Sequence, residues 1–332
     1  MTWHVRPVRA DDLDALHAIA QTTGAGFTNI PQQYEGMAAR VGWSLDSFRT
    51  TLEAPGDNIF FLVFANSSSE IGGTAMLFGE IGVEWPFYSY NIARYAQTSK
   101  ALKRSIASEL LNLTTEFSGA SEVGGLFLRD NLRKGGLGHL LARSRYLFIA
   151  HHRQRFADRL IAELRGWLDE NGDSPFWDAI GRPFFQMGFP EANSFNTEHG
   201  NQFIADLMPK HPIYIAMLPE GARKVLGKPH DTGVSAMRML EREGFTYSRY
   251  IDIFDGGPTM CVHTDHVATV RDSVTGPLIA GAPVSATRHI AAAGQLMHFR
   301  SWLTTAERVG EGWRLGDPFD LKPGEEVRCV AL

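Results

Sequence analysis

From residue 3 onward the apolar positions follow first a strand period and then a helical one. Residues 3–8 (WHVRPV) are β-prone. Leu13, Leu16, Ile19 and Ala20 then fall on one face of a helix that runs to about residue 21, with Asp11 as its cap. Residues 23–31 (TGAGFTNIP) interrupt the pattern with two glycines and a proline. A helix is predicted over 33–53, a buried strand over 59–64 (IFFLVF), a turn at 66–70 (NSSSE) and a returning strand over 71–79, so the pair forms a hairpin. Residues 105–117 carry a helical pattern. The apolar run 124–128 (GGLFL) leads into a basic loop and a long helix from 137 to about 150.

Farther along, 160–164 (LIAEL) is a predicted strand, and 174–186 (SPFWDAIGRPFFQ) opens with the Ser-Pro pair of a helix start. Residues 190–232 are punctuated by proline and glycine around a helix at 201–208. A short helix over 233–243 stops at Gly244, 247–254 (YSRYIDIF) is a strand, and 255–258 (DGGP) is a turn. From about 262, short β-prone runs such as 296–304 and 327–332 alternate with turns. The expected architecture is a mixed α/β (α+β) body over residues 1–258 and a small β-rich module over 259–332.

Composition removes several function classes. The chain has 332 residues, 44% of them hydrophobic, enough for a sizeable core. A formal charge of −5 argues against a strongly basic nucleic-acid binder. No apolar run approaches the ~20 residues of a membrane span, and the first residues lack the apolar core of a signal peptide. The 2 cysteines, Cys261 and Cys329, exclude a disulfide framework and a cysteine-rich zinc site, which suits a cytosolic protein. His151 and His152 have no neighbouring ligand set, so no metal is expected. Ser174 is a helix cap rather than a nucleophile.

The stretch 124–150, GGLFLRDNLRKGGLGHLLARSRYLFIA, carries the candidate chemistry. Arg129, Arg133, Lys134, Arg143 and Arg145 form a local cationic patch in which Asp130 is the only acid. Gly135, Gly136 and Gly138 lie where the helix begins. There, small residues, free N–H groups and the positive end of the helix dipole attract a phosphate. A solvated basic loop is the plainest reading. A dinucleotide fold is disfavoured because Leu141 stands where its fingerprint needs Gly or Ala, and the loop after Arg129 is too long. Arg133-x-x-Gly136-x-Gly138 instead matches the R/Q-x-x-G-x-G/A pyrophosphate loop of the GNAT superfamily of acyl-CoA N-acyltransferases.

Across nearly its whole length the sequence resembles the arginine N-succinyltransferase family. The matching stretches are VRPVRADDLDAL, TGAGFT, LFLRDNLRKGGLGHLLARSR, SPFWDAIGRPFFQM, LMPKHPIY and YIDIFDGGPT. The resemblance implies a GNAT-like mixed sheet flanked by helices, with a small C-terminal β-rich module. It implies transfer of succinyl from succinyl-CoA to the α-amino group of L-arginine in arginine catabolism, with succinyl-CoA as co-substrate and no permanently bound cofactor. It also implies an acyl-CoA contact at Leu126 and a general acid at His230, in GKPHDTG.

Backbone N–H groups of Leu126, Phe127 and Leu128 are then expected at the thioester carbonyl, and Arg133, Lys134, Gly136, Leu137 and Gly138 at the pyrophosphate. His230 has the residue type for proton transfer near neutrality, as acid or as acceptor of the amine proton. Glu163, Arg165, Asp252 and Asp255 are alternatives for charged substrate groups, though each reads more simply as structural. Direct transfer without an acyl-enzyme is expected. Ornithine or another basic amine as acceptor, and a non-catalytic CoA-binding regulator, are the alternatives. Expected partners are small molecules, not nucleic acid or membrane. The expected setting is a cytoplasmic homo-oligomer, with the need for a paralogous subunit left open.

Overall fold

The fold is seen in a computed structural model that describes residues 2–22, 29–200, 202–284 and 287–332. The TGAGFT stretch, residues 23–28, lies outside the described residues. The strands in chain order are β1 (Trp3–Pro7), β2 (Ile59–Asn66), β3 (Ile71–Phe78), β4 (Ser89–Ser99), β5 (Arg104–Thr114), β6 (Ser121–Leu128), β7 (Arg159–Glu163) and β8 (Ile213–Tyr214). They continue with β9 (Thr246–Ile251), β10 (Pro258–His263), β11 (Val274–Pro277), β12 (Arg288–Ala293), β13 (Arg300–Val309), β14 (Gly312–Leu315) and β15 (Glu326–Ala331). All join edge to edge in the order β11-β15-β12-β13-β1-β2-β3-β6-β7-β10-β9-β4-β5-β8, with β14 beside β13.

The predicted hairpin is the β2–β3 pair. Every residue of both strands is buried, as their near-continuous apolar sequences require of strands covered on two faces. Alternation sorts the side chains. Phe60, Leu62 and Phe64 share a core with α3 (Leu137–His151), through Leu140, Leu141 and Phe148. Ile59, Phe61 and Val63 pack instead with α1 (Leu13–Ala20) and α2 (Tyr34–Arg49) on the opposite face.

A second core lies between the β4–β9 region and the helices α4 (Pro175–Ile180), α5 (Arg182–Phe185), α6 (Phe189–His199), α7 (Gln202–Leu207) and α8 (Glu220–Val225). Ser174 caps α4 as expected, its hydroxyl accepting from the Trp177 N–H at 3.1 Å. Helices α9 (Val234–Arg242) and α10 (Ala268–Asp272) complete the α3 side. Trp302, Trp313 and Val327 anchor a separate small core under the last strands, and β13 joins these to the rest by pairing with β1.

Two expectations are corrected. Residues 105–117 are not helical: β5 pairs with β4 residue for residue, from Ser89↔Thr114 to Ser99↔Arg104. The apolar positions 106, 107, 110, 111 and 113 fit a helical template, but the long cross-strand pairing overrides it. Nor does Asp11 act as the cap. Asp12 stands at the N-cap position without capping the helix through its side chain, which instead neutralises the buried Arg6, with contacts of 2.7 and 2.8 Å, and accepts the Arg9 N–H at 2.7 Å. The expected division at 258/259 falls inside β10, which pairs with β7 and β9.

The feature that positions the site is a parting of strands. β6 and β7 are the one parallel strand pair among the described residues, and they pair only at Ser121↔Leu160 and Glu122↔Ile161. Beyond Glu122, β6 stays with β3 and β7 with β10, so a wedge opens between them.

Candidate active site

A cavity of about 1360 Å³ fills this wedge and passes through the sheet. Val123–Phe127 form one wall and Ala162–Arg165 the other. His139, Tyr146 and Leu240 line it on the α3–α9 side, and Asn29, Arg40 and Trp43 on the α2 side. The β6 wall is bent by a bulge. Gly125 has φ +56°, and a Cβ there would stand 2.9 Å from Met76 Cγ. The Thr74 hydroxyl donates to the Gly125 carbonyl at 2.9 Å and fixes the bend. Beyond Glu122 the β6 edge that faces β7 has no strand partner among the described residues, and Val123–Phe127 line the cavity there.

The α3 side is cationic. Arg129, Arg133, Arg143 and Arg242 line it, with His139. Arg133 folds back, its Nε donating to the Leu128 carbonyl at 3.0 Å while it pairs with Asp130 at 3.1 Å. Gly136, at φ +86°, caps α3, and its carbonyl accepts the Leu140 N–H at 2.9 Å. That left-handed cap is why glycine suits the position.

The C-terminal strands close over the same loop. Arg288 of β12 donates to the Gly135 carbonyl at 2.6 Å, and the Leu332 N–H donates to the Arg288 carbonyl at 3.0 Å. Arg143 ties the helices to this end, donating to the Ala331 carbonyl at 2.6 Å and pairing with Glu243 at 3.1 Å. Ala331 and Leu332 are themselves part of the cavity wall.

The α2 side is rich in acidic residues. Glu122, Glu163, Asp252 and Asp255 converge there. Asp252 accepts the N–H groups of Phe254 and Asp255 at 2.7 and 2.8 Å, and Asp255 accepts those of Gly166 and Gly257 at 2.7 and 2.8 Å. The two glutamates are less engaged. Glu122 accepts from the Asn29 amide at 3.2 Å and Glu163 from the Thr259 hydroxyl at 3.2 Å. Burial pushes the Glu122 carboxyl up to about 7, against the pull of Arg40. Burial, reinforced by the neighbouring acids, raises Glu163 and Asp255 well above the usual carboxylate range. Asp252 is raised by burial, against its backbone hydrogen bonds. The Arg40 guanidinium lies 5.8 Å from the Trp43 ring and 5.9 Å from that of Phe78.

His230 is half-buried and is not itself part of the cavity wall, although Thr232 and Gly233 two and three residues on are. Its N–H donates to the Arg165 carbonyl at 2.8 Å, and Gly166 bridges to Pro229, so the segment is pinned to the end of β7. Its Nδ1 lies 2.8 Å from the Thr232 hydroxyl and 3.3 Å from the Thr232 N–H, contacts that orient the ring. Burial lowers its pKa, and Arg165 lowers it further.

Of the residues picked out by sequence, Leu126, Phe127 and Arg133 line the cavity. Leu128 is buried beneath it. Lys134, Gly136, Leu137 and Gly138 build the turn beside it without forming its wall, and Thr232 and Gly233 stand in the wall next to His230. Sequence reasoning missed Asn29, Arg40, Glu122 and Arg288. The one local signal among them is Glu122, an acid inside the apolar strand SEVGGLFL.

Comparison with known proteins gives concordant results. The family model of the arginine N-succinyltransferase beta subunit matches residues 3–269. Arginine N-succinyltransferase subunit beta of Pseudomonas aeruginosa is 39% identical over 338 residues, spanning 99% of this chain and 98% of that protein. Arginine N-succinyltransferase of Salmonella schwarzengrund is 36% identical over 334 residues, spanning 99% and 97%. The solved structure of arginine/ornithine succinyltransferase subunit AI from Pseudomonas aeruginosa has a TM-score of 0.90 at 29% identity, covering 99% of this chain and 98% of that one.

Proposed function

The chain belongs to the arginine N-succinyltransferase family and is an acyltransferase, and from that premise we propose that it transfers succinyl directly from succinyl-CoA to the α-amino group of L-arginine. The observation that carries this reading is the polarity of one cavity. Its α3 side is basic and suits a polyanionic coenzyme, its α2 side is acidic and suits a basic acceptor, and the parted strands join the two.

In this reading the pyrophosphate lies at Arg133–Gly138, where Arg133 and the start of α3 present positive charge. The pantetheine arm follows the open edge of β6 to Leu126. Backbone N–H groups of the Leu126–Leu128 segment meet the thioester oxygen. The guanidinium of the acceptor rests among Glu163 and Asp252, and Glu122, poised near neutrality, takes a proton from the α-ammonium. The freed amine nitrogen bonds to the thioester carbon and the carbonyl electrons move to oxygen. His230 takes the second proton from that nitrogen at its free ring nitrogen, collapse breaks the C–S bond, and the same proton passes from His230 to the leaving sulfur. Two protons leave the ammonium, one to Glu122 and one through His230 to the thiol, so the amide, the thiol and a neutral imidazole remain and the step balances. Holding both reactants in place supplies roughly 7–11 kcal/mol of the barrier in well-oriented cases.

Ornithine is a second acceptor, favoured by the name of the solved relative and by an acidic chamber that also suits an ammonium. Succinyl-CoA is a co-substrate, and no permanently bound cofactor or metal is invoked. The words subunit beta and subunit AI in the relatives' names favour an assembly of several chains, identical or paralogous. Unpaired Cys261 and Cys329 favour a cytoplasmic setting, and arginine catabolism is the process proposed. No helix among the described residues is long and apolar enough to cross a membrane. The body over 1–258 and the module over 259–332 are retained as proposed units.

Thiol release on mixing the protein with succinyl-CoA and arginine tests the reading, with sequential kinetics expected. Coenzyme binding without release would reject catalysis, and a ping-pong pattern would reject direct transfer. In the same assay H230A is expected to lower turnover by ~10²–10⁴-fold with little change in coenzyme affinity. Undiminished turnover removes His230 from the mechanism.

A further inference from the structure

The acidic chamber also holds an arginine that makes no hydrogen bond or ion pair with any described side chain, Asp255 acting on its charge only through space. Arg165 follows β7 and, two residues beyond Glu163, projects to the same face by alternation. It lines the cavity, and its Nε is buried without a hydrogen-bond partner. The obvious counter-ion is spent: both Asp255 oxygens accept backbone N–H groups, from Gly166 and Gly257. On the coenzyme side, in contrast, Arg133 pairs with Asp130 and Arg143 with Glu243. The Arg165 backbone is rigidly placed, since its carbonyl holds the His230 N–H at 2.8 Å. A fixed, half-buried guanidinium that lacks a partner and faces a cavity is built for a planar anion from outside the chain.

We propose that Arg165 is the carboxylate anchor of this site, a specificity-determining residue that grips a carboxylate of one substrate by paired N–H···O bonds. The inference rests on the proposed transfer. That reaction brings two such groups to the wedge, the terminal carboxylate of the succinyl chain and the α-carboxylate of the amino acid. Either source satisfies the same chemistry. An anchor there holds its substrate at the residue whose own carbonyl positions His230.

The test uses two matched pairs on the full chain. Succinyl-CoA is compared with butyryl-CoA, which has the same four-carbon chain without the terminal carboxylate. L-Arginine is compared with agmatine, which keeps the amine and guanidinium but lacks the carboxylate. Both kcat/KM and calorimetric affinity are measured for the wild type, R165K and R165M. The wild type is expected to favour the carboxylate-bearing member of at least one pair by roughly a hundredfold. R165M should reduce that preference to a few-fold and R165K should restore part of it, while the other pair keeps its ratio. Collapse of the succinyl/butyryl ratio assigns the anchor to the donor, and collapse of the arginine/agmatine ratio assigns it to the acceptor.

Unchanged ratios in both pairs overturn the proposal. Wild-type protein that releases no thiol would sink the proposed transfer, yet the binding ratios would still read the anchor. Should R165M fail to fold, R165Q is measured in its place.

Discussion

Glu122 shows how burial converts into a pH dependence. A carboxyl held at about 7 rather than 4.5 opposes ionisation by roughly 3 kcal/mol, at about 1.4 kcal/mol per tenfold change in proton affinity. Its folded value lies above the unfolded one. The stability it contributes is therefore complete below about 4.5 and lost as pH rises through 7. E122Q should then be more stable than wild type at pH 8 by roughly 3 kcal/mol, with the gap closing toward pH 4.5, as read by urea unfolding across that window. Arginine binding has the opposite effect on the carboxyl, because a guanidinium beside Glu122, Glu163 and Asp252 favours the ionised forms. Release of up to about one proton per site is expected near pH 7, measured from binding heats in buffers of different ionisation enthalpy. No release would remove the acids from acceptor binding. These acids, with Arg40 and Arg165, come from segments far apart in the chain. Glu163, Arg165, Asp252 and Asp255 could be suspected from the sequence, but their convergence exists only after β7, β9 and β10 have paired. The turn that opens α3 was legible because Arg133, Gly136 and Gly138 are close neighbours in the chain.

At the level of elements, the bulge in β6 decides where the sheet parts. Gly125→Ala would force an L side chain to φ +56° and against Met76, at a cost of about 1–3 kcal/mol. The wall proposed to meet the thioester would shift with it. A fall in melting temperature together with a rise in the KM for succinyl-CoA is expected, whereas a normal KM would show that the bend does not position the donor. The helices α1, α2 and α3 and the strands β2, β3, β6 and β7 were all legible, because their apolar periods are long and locally consistent. The β4–β5 arm was not. Leu111 is buried in β5, but the stretch from Arg104 to Ser108 is exposed or nearly so. No burial period marks the segment as a strand, and its pairing with β4 can be found only by folding both.

Over the whole molecule, the change of texture near residue 262 did announce a β-rich end, and β11–β15 supply it. The sequence held no sign that this end would reach the basic, α3 side of the wedge. Arg288 grips the Gly135 carbonyl, and Ala331 and Leu332 complete a wall begun nearly two hundred residues earlier. Because the cavity is lined from both faces of the sheet, the proposed transfer gives each substrate its own doorway. Each product can also leave by the way its parent arrived. Free CoA should accordingly be competitive against succinyl-CoA but not against arginine, and succinylarginine should be competitive against arginine alone. A product-inhibition study in which both products competed with both substrates would mean that the two doorways are one.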